Sequence, residues 1–109
     1  MALEHVRPGE VKNLKTFVGG GNEAPRRAIV KTDRFQAIYV TVHHDTKIAR
    51  HRVPGQATVQ CLGGKVALVL DEGTVTMNEG DWMYLERNQD HAVEGIDDGA
   101  LLVTILFDD

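Results

Sequence analysis

From residue 28 onward the apolar residues come in short bursts separated by polar or glycine-containing breaks. Residues 28–31 and 35–42 are rich in Val, Ile, Tyr and Phe, with Thr32-Asp33-Arg34 between them, and β-branched and aromatic side chains favour extended backbone. His44-Asp45-Thr46-Lys47 predicts a turn, followed by a strand over 48–53 that stops at Pro54-Gly55. The run 58–62 ends at Gly63-Gly64, a pair that predicts a hairpin. Residues 65–70 then turn at Asp71-Glu72-Gly73 into 74–77, Asn78-Glu79-Gly80 leads into 81–85, and Asp98-Gly99 precedes a last strand over 100–107. Eight or more strands at about ten-residue spacing, with no helical period, predict a sandwich or barrel rather than alternating strands and helices.

The first part of the chain differs. Val11, Leu14, Phe17 and Val18 are apolar but run into Gly19-Gly20-Gly21-Asn22, a loop signal. This predicts an arm over 1–24 with one short strand, packed on the barrel or on a neighbouring subunit, and a barrel over 25–109. The chain contains no internal repeat.

Composition narrows the function classes. At 109 residues the chain fits one domain, and a chain of this size buries only about two-thirds of its unfolded surface, which favours oligomerisation. A formal net charge of −4, with basic residues scattered apart from Arg26-Arg27, argues against nucleic acid as a partner. Residues 1–8 lack the apolar core of a secretory signal, and the apolar run 101–107 is too short to span a bilayer. The expectation is a cytoplasmic protein with no membrane partner. The single cysteine, Cys61, excludes an internal disulfide and reads as a buried small hydrophobe. No serine occurs anywhere, so a serine-histidine-aspartate arrangement is excluded. Gly19-Gly20-Gly21 is followed by no lysine-serine or lysine-threonine pair, so it is no phosphate-cradling loop.

Two segments carry chemistry. One runs from His51 through Val53, Gln56 and Ala57 to Gly64; the other from Gly80 through Glu86, Asn88 and His91 to Gly95. In spacing they resemble the two motifs of the cupin family. The first of those has two histidines one residue apart, then a glutamate and a glycine. The second has a glycine, proline, glycine, histidine and asparagine. His51, Gly64, Gly80 and His91 match; Val53 and Ala57 stand where the second histidine and the glutamate are usual, and Glu86, Asn88 and Gly95 replace proline, glycine and asparagine. The resemblance implies an all-β fold, the cupin-type double-stranded β-helix or jelly-roll barrel. It implies Met83 and Leu85 turned into the barrel, with Trp82 and Tyr84 on the outer face.

It also implies that His51 and His91 converge on one divalent transition metal (Fe, Mn, Ni or Zn), a borderline ion suited to imidazole ligands. Gln56 is the nearest further donor, facing inward only if Pro54-Gly55 carries a bulge. The alternative is a metal-free pocket in which the two imidazoles line a binding site. The first reading is a metal-dependent protein acting on a small organic acid or sugar-like compound. The second is a non-catalytic binding or sensing module, to which Val53 and Ala57 lend an apolar wall. The third is a structural barrel. A homodimer is expected under all three, because cupin-like barrels commonly pair. His43-His44 beside Asp45 reads as an exposed strand end, since neighbours in a strand point to opposite faces. His5 reads as solvated, and Tyr39 as packed on a sheet face.

Overall fold

The computed structural model describes residues 5–15 and 26–107. Its ordered elements are all strands: β1 (Arg26–Lys31), β2 (Phe35–Val42), β3 (Lys47–His51), β4 (Ala57–Leu70), β5 (Gly73–Asn78), β6 (Trp82–Leu85) and β7 (His91–Leu106). Every pairing is antiparallel. Among the described residues no helix is long and apolar enough to cross a membrane.

The two long strands organise the rest. β4 and β7 pair with each other from Ala57↔Ile105 to Leu70↔His91. The second half of β7 also holds β2, which holds β1, and the first half of β4 holds β6. The first half of β7 holds β3, and the second half of β4 holds β5. Bent at its middle, the β4–β7 ribbon therefore contributes to two sheets, β1-β2-β7-β4-β6 and β3-β7-β4-β5. Their inner faces share one core, in which Val40, Val59 and Leu101 from the first meet Leu68 and Val93 from the second. Leu68, Leu85 and Leu101 are almost fully shielded, and each such side chain contributes about 1.5–3 kcal/mol. This is the jelly-roll barrel that the resemblance implies.

The bend lies at Gly63-Gly64, and here the expectation from sequence is corrected. No hairpin forms; β4 continues through the pair, with register shifts between Cys61 and Val66. The tight reversing turns need a left-handed residue at their first central position, but only the second glycine, Gly64, has positive φ, at 76°. A side chain at Gly64 would collide with the backbone carbonyl of Asp98 on β7. The irregularity also changes which residues face inward. Ala57, Val59 and Cys61 are buried before it, Val66 and Leu68 after it, so the inward phase moves by one residue. Asp98-Gly99 likewise lies inside β7 rather than ending a strand. Joining 58–62 to 65–70 turns the eight expected strands into seven.

Other expectations meet the structure more simply. β2 has the bounds read from sequence, and β1, β3, β5 and β6 differ by one or two residues. Leu85 is buried and Met83 packs against the core, while Trp82 and Tyr84 are exposed on the outer face. Cys61 is buried, its thiol proton directed at Gly63 O, 3.4 Å away. Burial pushes the thiol pKa up, which keeps it protonated and inert. In the arm, residues 5–15 form turns and no strand. They lie on the barrel: Val6 N donates to Ile29 O at 2.8 Å, and Leu14 and Lys15 sit beside Tyr39 and Leu62. Phe17, Val18, the Gly19-Gly20-Gly21-Asn22 break and the boundary between residues 24 and 25 lie outside the described residues.

Candidate functional site

His51 ends β3 and His91 begins β7, and the two are direct cross-strand partners. Alternation alone would not have put them on one face. Ile48 pairs with Val93 and packs on the core, so a regular strand would turn Arg50 inward and His51 out. A shift in register between Ile48 and His51 inserts one residue in β3. This bulge reverses the phase and brings the imidazole inside. His91 is placed by the preceding turn, where Glu86 N donates to Gln89 Oε1 at 2.9 Å and Asn88 N donates to Val53 O at 2.9 Å. Asn88 has φ of 62°, a conformation that asparagine tolerates better than most residues. Its place in the motif is one where glycine is usual, so the departure keeps the geometry.

The two rings meet edge to face, with centroids 4.2 Å apart. Each is held in the same way. His51 Nδ1 lies 2.9 Å from Ala49 O, and His91 Nδ1 lies 3.0 Å from Gln89 O. A carbonyl oxygen only accepts, so both rings carry their proton on Nδ1, and in the neutral form both leave the Nε2 lone pair free. His91 is 8% exposed. Its burial lowers its pKa, Gln89 O opposes that shift, and the neighbouring His51 adds to it. The neutral imidazole, with its lone pair available, is therefore favoured.

Both rings line a cavity of about 50 Å³ inside the barrel, room for a few water molecules or a ligand of few heavy atoms. Its other walls are mainly apolar, including Val53, Ala57, Val59, Leu85 and Leu101, and Arg26 stands among them. Val53 and Ala57, which hold the places of the family's other two ligands, are thus both at the cavity. Gln56 is not. It faces the outer side, where its amide Nε2 donates to Tyr84 Oη at 2.7 Å, because alternation from inward Ala57 carries it outward. Among the described residues no group of three or more His, Cys, Asp or Glu side chains is placed to hold a metal.

Outside the barrel, an ion-pair web clamps the two histidine-bearing strands. Arg52 Nε donates to Asp90 Oδ1 at 2.7 Å, Arg50 Nε lies 3.5 Å from Asp90 Oδ2, and Arg50 also pairs with Asp71. The hydrogen bond from Arg52 holds the Asp90 carboxyl below the usual carboxylate range. Sequence reasoning missed this web, since its signal is only the alternation of Arg50 and Arg52 with His51, and of Asp90 with His91. It also separated His43 from His44 too strictly. Both lie past the end of β2, where strand alternation no longer applies, and their Nδ1 atoms approach Asp98 Oδ1 at 3.8 and 3.4 Å. Asp98 is brought there from the far end of the chain by β7, and all three side chains are exposed. His5 is exposed as well. Tyr39 lies half-buried on the outer face, opposite Leu102.

Comparison with known proteins agrees with this fold. The sequence profile of the family described as Cupin domain matches residues 38–107. No curated protein matches the chain. Among solved structures, a conserved protein of unknown function from Streptococcus pyogenes superposes with a TM-score of 0.82 at 19% identity, over 100% of this chain and 96% of that one. A cupin superfamily protein from Desulfitobacterium hafniense gives 0.83 at 16% identity, over 99% and 100%. A protein from Neisseria meningitidis gives 0.73 at 20% identity, over 90% and 100%. Such identities speak to fold alone. The profile match spans well over half the chain and takes in both histidine-bearing strands, so the chain belongs to the cupin family.

Proposed function

We propose that this cupin holds one divalent transition metal between His51 and His91 and acts on a small organic compound bound beside it. The observation that carries the reading is the pinning of both Nδ1 atoms by backbone carbonyls, which leaves two Nε2 lone pairs inside one cavity. A carbonyl behind each imidazole is the support that metal-ligating histidines need, since it fixes tautomer and ring direction. Cupin domains often bind a transition metal. The donor set fits half of such a site: two imidazoles, with the remaining positions left to water and the bound compound. When bound, the metal supplies a Lewis acid or a place for dioxygen. The chain's own contribution is orientation and exclusion. Cross-strand pairing and the Arg50–Asp90–Arg52 web keep the two rings together, and the apolar walls keep bulk water from the compound.

A second reading follows from Val53 and Ala57. They make the cavity apolar where other ligands would stand, which suits a binding or sensing module without turnover. Elemental analysis of tag-free protein decides between the two. It is done before and after loading with iron, manganese, nickel and zinc, beside a His51→Ala/His91→Ala double variant. About one metal per chain, lost in the variant, is expected. Absence of retained metal in the wild type would overturn the metal reading. Thermal stabilisation by a small ligand, unaffected by chelator, would then support the binding module.

A further inference from the structure

We infer that the compound taken by this cavity is a small carboxylate whose anionic end is anchored by Arg26 at the mouth. The inference rests on the reading of the cavity as a small-molecule site and adds its charge and class. It begins with register. Arg26 opens the edge strand β1 and pairs with Val40, which is buried on the inner face. Cross-strand partners present their side chains on one side of a sheet, so Arg26 is turned towards the barrel interior, and it lines the same cavity as His51 and His91. The residue itself remains exposed, as a group at a rim must be. Among the described residues it has no carboxylate partner.

The remainder of the lining makes that cation matter. No Asp or Glu borders the cavity among the described residues, although the chain carries 16 acidic residues against 12 Lys and Arg. The acids are elsewhere; Asp71 and Asp90, for example, neutralise Arg50 and Arg52 on the outside. Among the described residues the cavity therefore offers one guanidinium, two imidazoles and apolar walls, and nothing negative. A guanidinium binds a planar carboxylate through two parallel hydrogen bonds. A short carbon chain suits the Val and Leu walls, and an oxygen at its far end would fill an open metal position. A neutral sugar, with many hydroxyls to satisfy, would leave most of them unpaired against those walls. A volume of about 50 Å³ limits the guest to few heavy atoms.

The test is an NMR titration of the full, ¹⁵N-labelled chain with butyrate and 2-oxobutyrate, and with butyramide as the neutral counterpart. It is run in EDTA and again after zinc loading, with zinc content measured on the same samples. Saturable shifts at cavity residues such as Val59 and Leu101 are expected with the carboxylates and not with the amide. Arg26→Gln, at an exposed position, should keep the wild-type spectrum and weaken carboxylate binding by about tenfold or more. Equal binding by Arg26→Gln, equal binding of the amide, or absence of carboxylate shifts in both conditions would each overturn the inference. The zinc content separates the two claims. Zinc retained while carboxylates are ignored removes the anion anchor alone. Carboxylate binding through Arg26 without retained zinc supports the anchor and removes zinc as the metal.

Discussion

At the scale of single residues, the site is defined by what lies behind each imidazole. His91 is buried, and its pKa is lowered chiefly for that reason. The sign of the consequence follows from linkage. Between the lowered folded-state value and the ordinary histidine value of about 6.5, the unfolded chain binds more protons than the native one. Stability is therefore full above that ordinary value and declines as pH falls through the window. Asp90, held low chiefly by the Arg52 hydrogen bond, behaves differently in position. Its contribution is present above the ordinary aspartate value and is lost as pH falls further, towards its depressed folded value. In metal-free protein, His91→Gln should flatten the pH dependence of the denaturant midpoint just below neutrality and leave the more acidic decline in place. Parallel pH profiles for wild type and variant would show that burial does not set the state of this ring. Arg52→Ala gives the complementary result, acting on the acidic limb.

At the scale of elements, the bulge in β3 and the bend in β4 decide where chemistry can sit. The bend makes the sharper prediction, because two adjacent glycines differ in what they demand. Gly64 has positive φ and no room for a side chain, whereas Gly63 has open space where a Cβ would go. Gly64→Ala should cost about 2–4 kcal/mol, from left-handed strain and the clash with Asp98. Gly63→Ala should cost less than about 1 kcal/mol. Thermal unfolding of the two variants checks this, and equal losses would mean that the bend does not depend on Gly64. The same contrast explains what could be read beforehand. Alternating apolar residues in 35–42 identify β2 because each one pairs across a regular ladder. A Gly-Gly pair has the same appearance in a hairpin and in a bent strand, since the difference is whether a neighbour continues alongside. β7 does so, and that pairing is non-local. His51 and His91 were legible through motif spacing, yet alternation from Ile48 would have sent His51 outward. The bulge that rescues it leaves no mark in composition. Arg26, with no motif around it, became visible only when its pairing with Val40 fixed its face.

At the scale of the whole molecule, one outer sheet face is largely exposed among the described residues. The register aligns Tyr39, Leu102, Gln60 and Trp82 in a row across β2, β7, β4 and β6, with Thr104, Thr58 and Tyr84 in the next. Trp82 is 60% exposed, Tyr84 48% and Leu106 40%, and an exposed group of large apolar side chains marks an interaction surface. Among the described residues of the arm, Leu14 and Lys15 lie beside Tyr39 and Gln60, and Trp82 and Tyr84 stay exposed. We propose that a second copy of the chain covers the rest. A chain of this size has little interior of its own, and a two-fold pairing can lay Trp82 and Tyr84 of each copy on the same face of the other. A stable pair needs about 800 Å² from each partner, and the two exposed aromatics, Trp82 and Tyr84, would lie within such a patch. The cavity is lined largely by inward-facing residues such as Val40, Val59, Leu68 and Val93, and Trp82 and Tyr84 are not among its walls, so pairing and ligand binding should be separable. Sedimentation velocity at micromolar concentration should give a dimer for the wild type and a monomer for Trp82→Arg/Tyr84→Glu. The monomer should keep its folded spectrum and its response to carboxylates. A wild-type monomer would remove the proposal. A dimer that survives the double substitution would move the interface to another face.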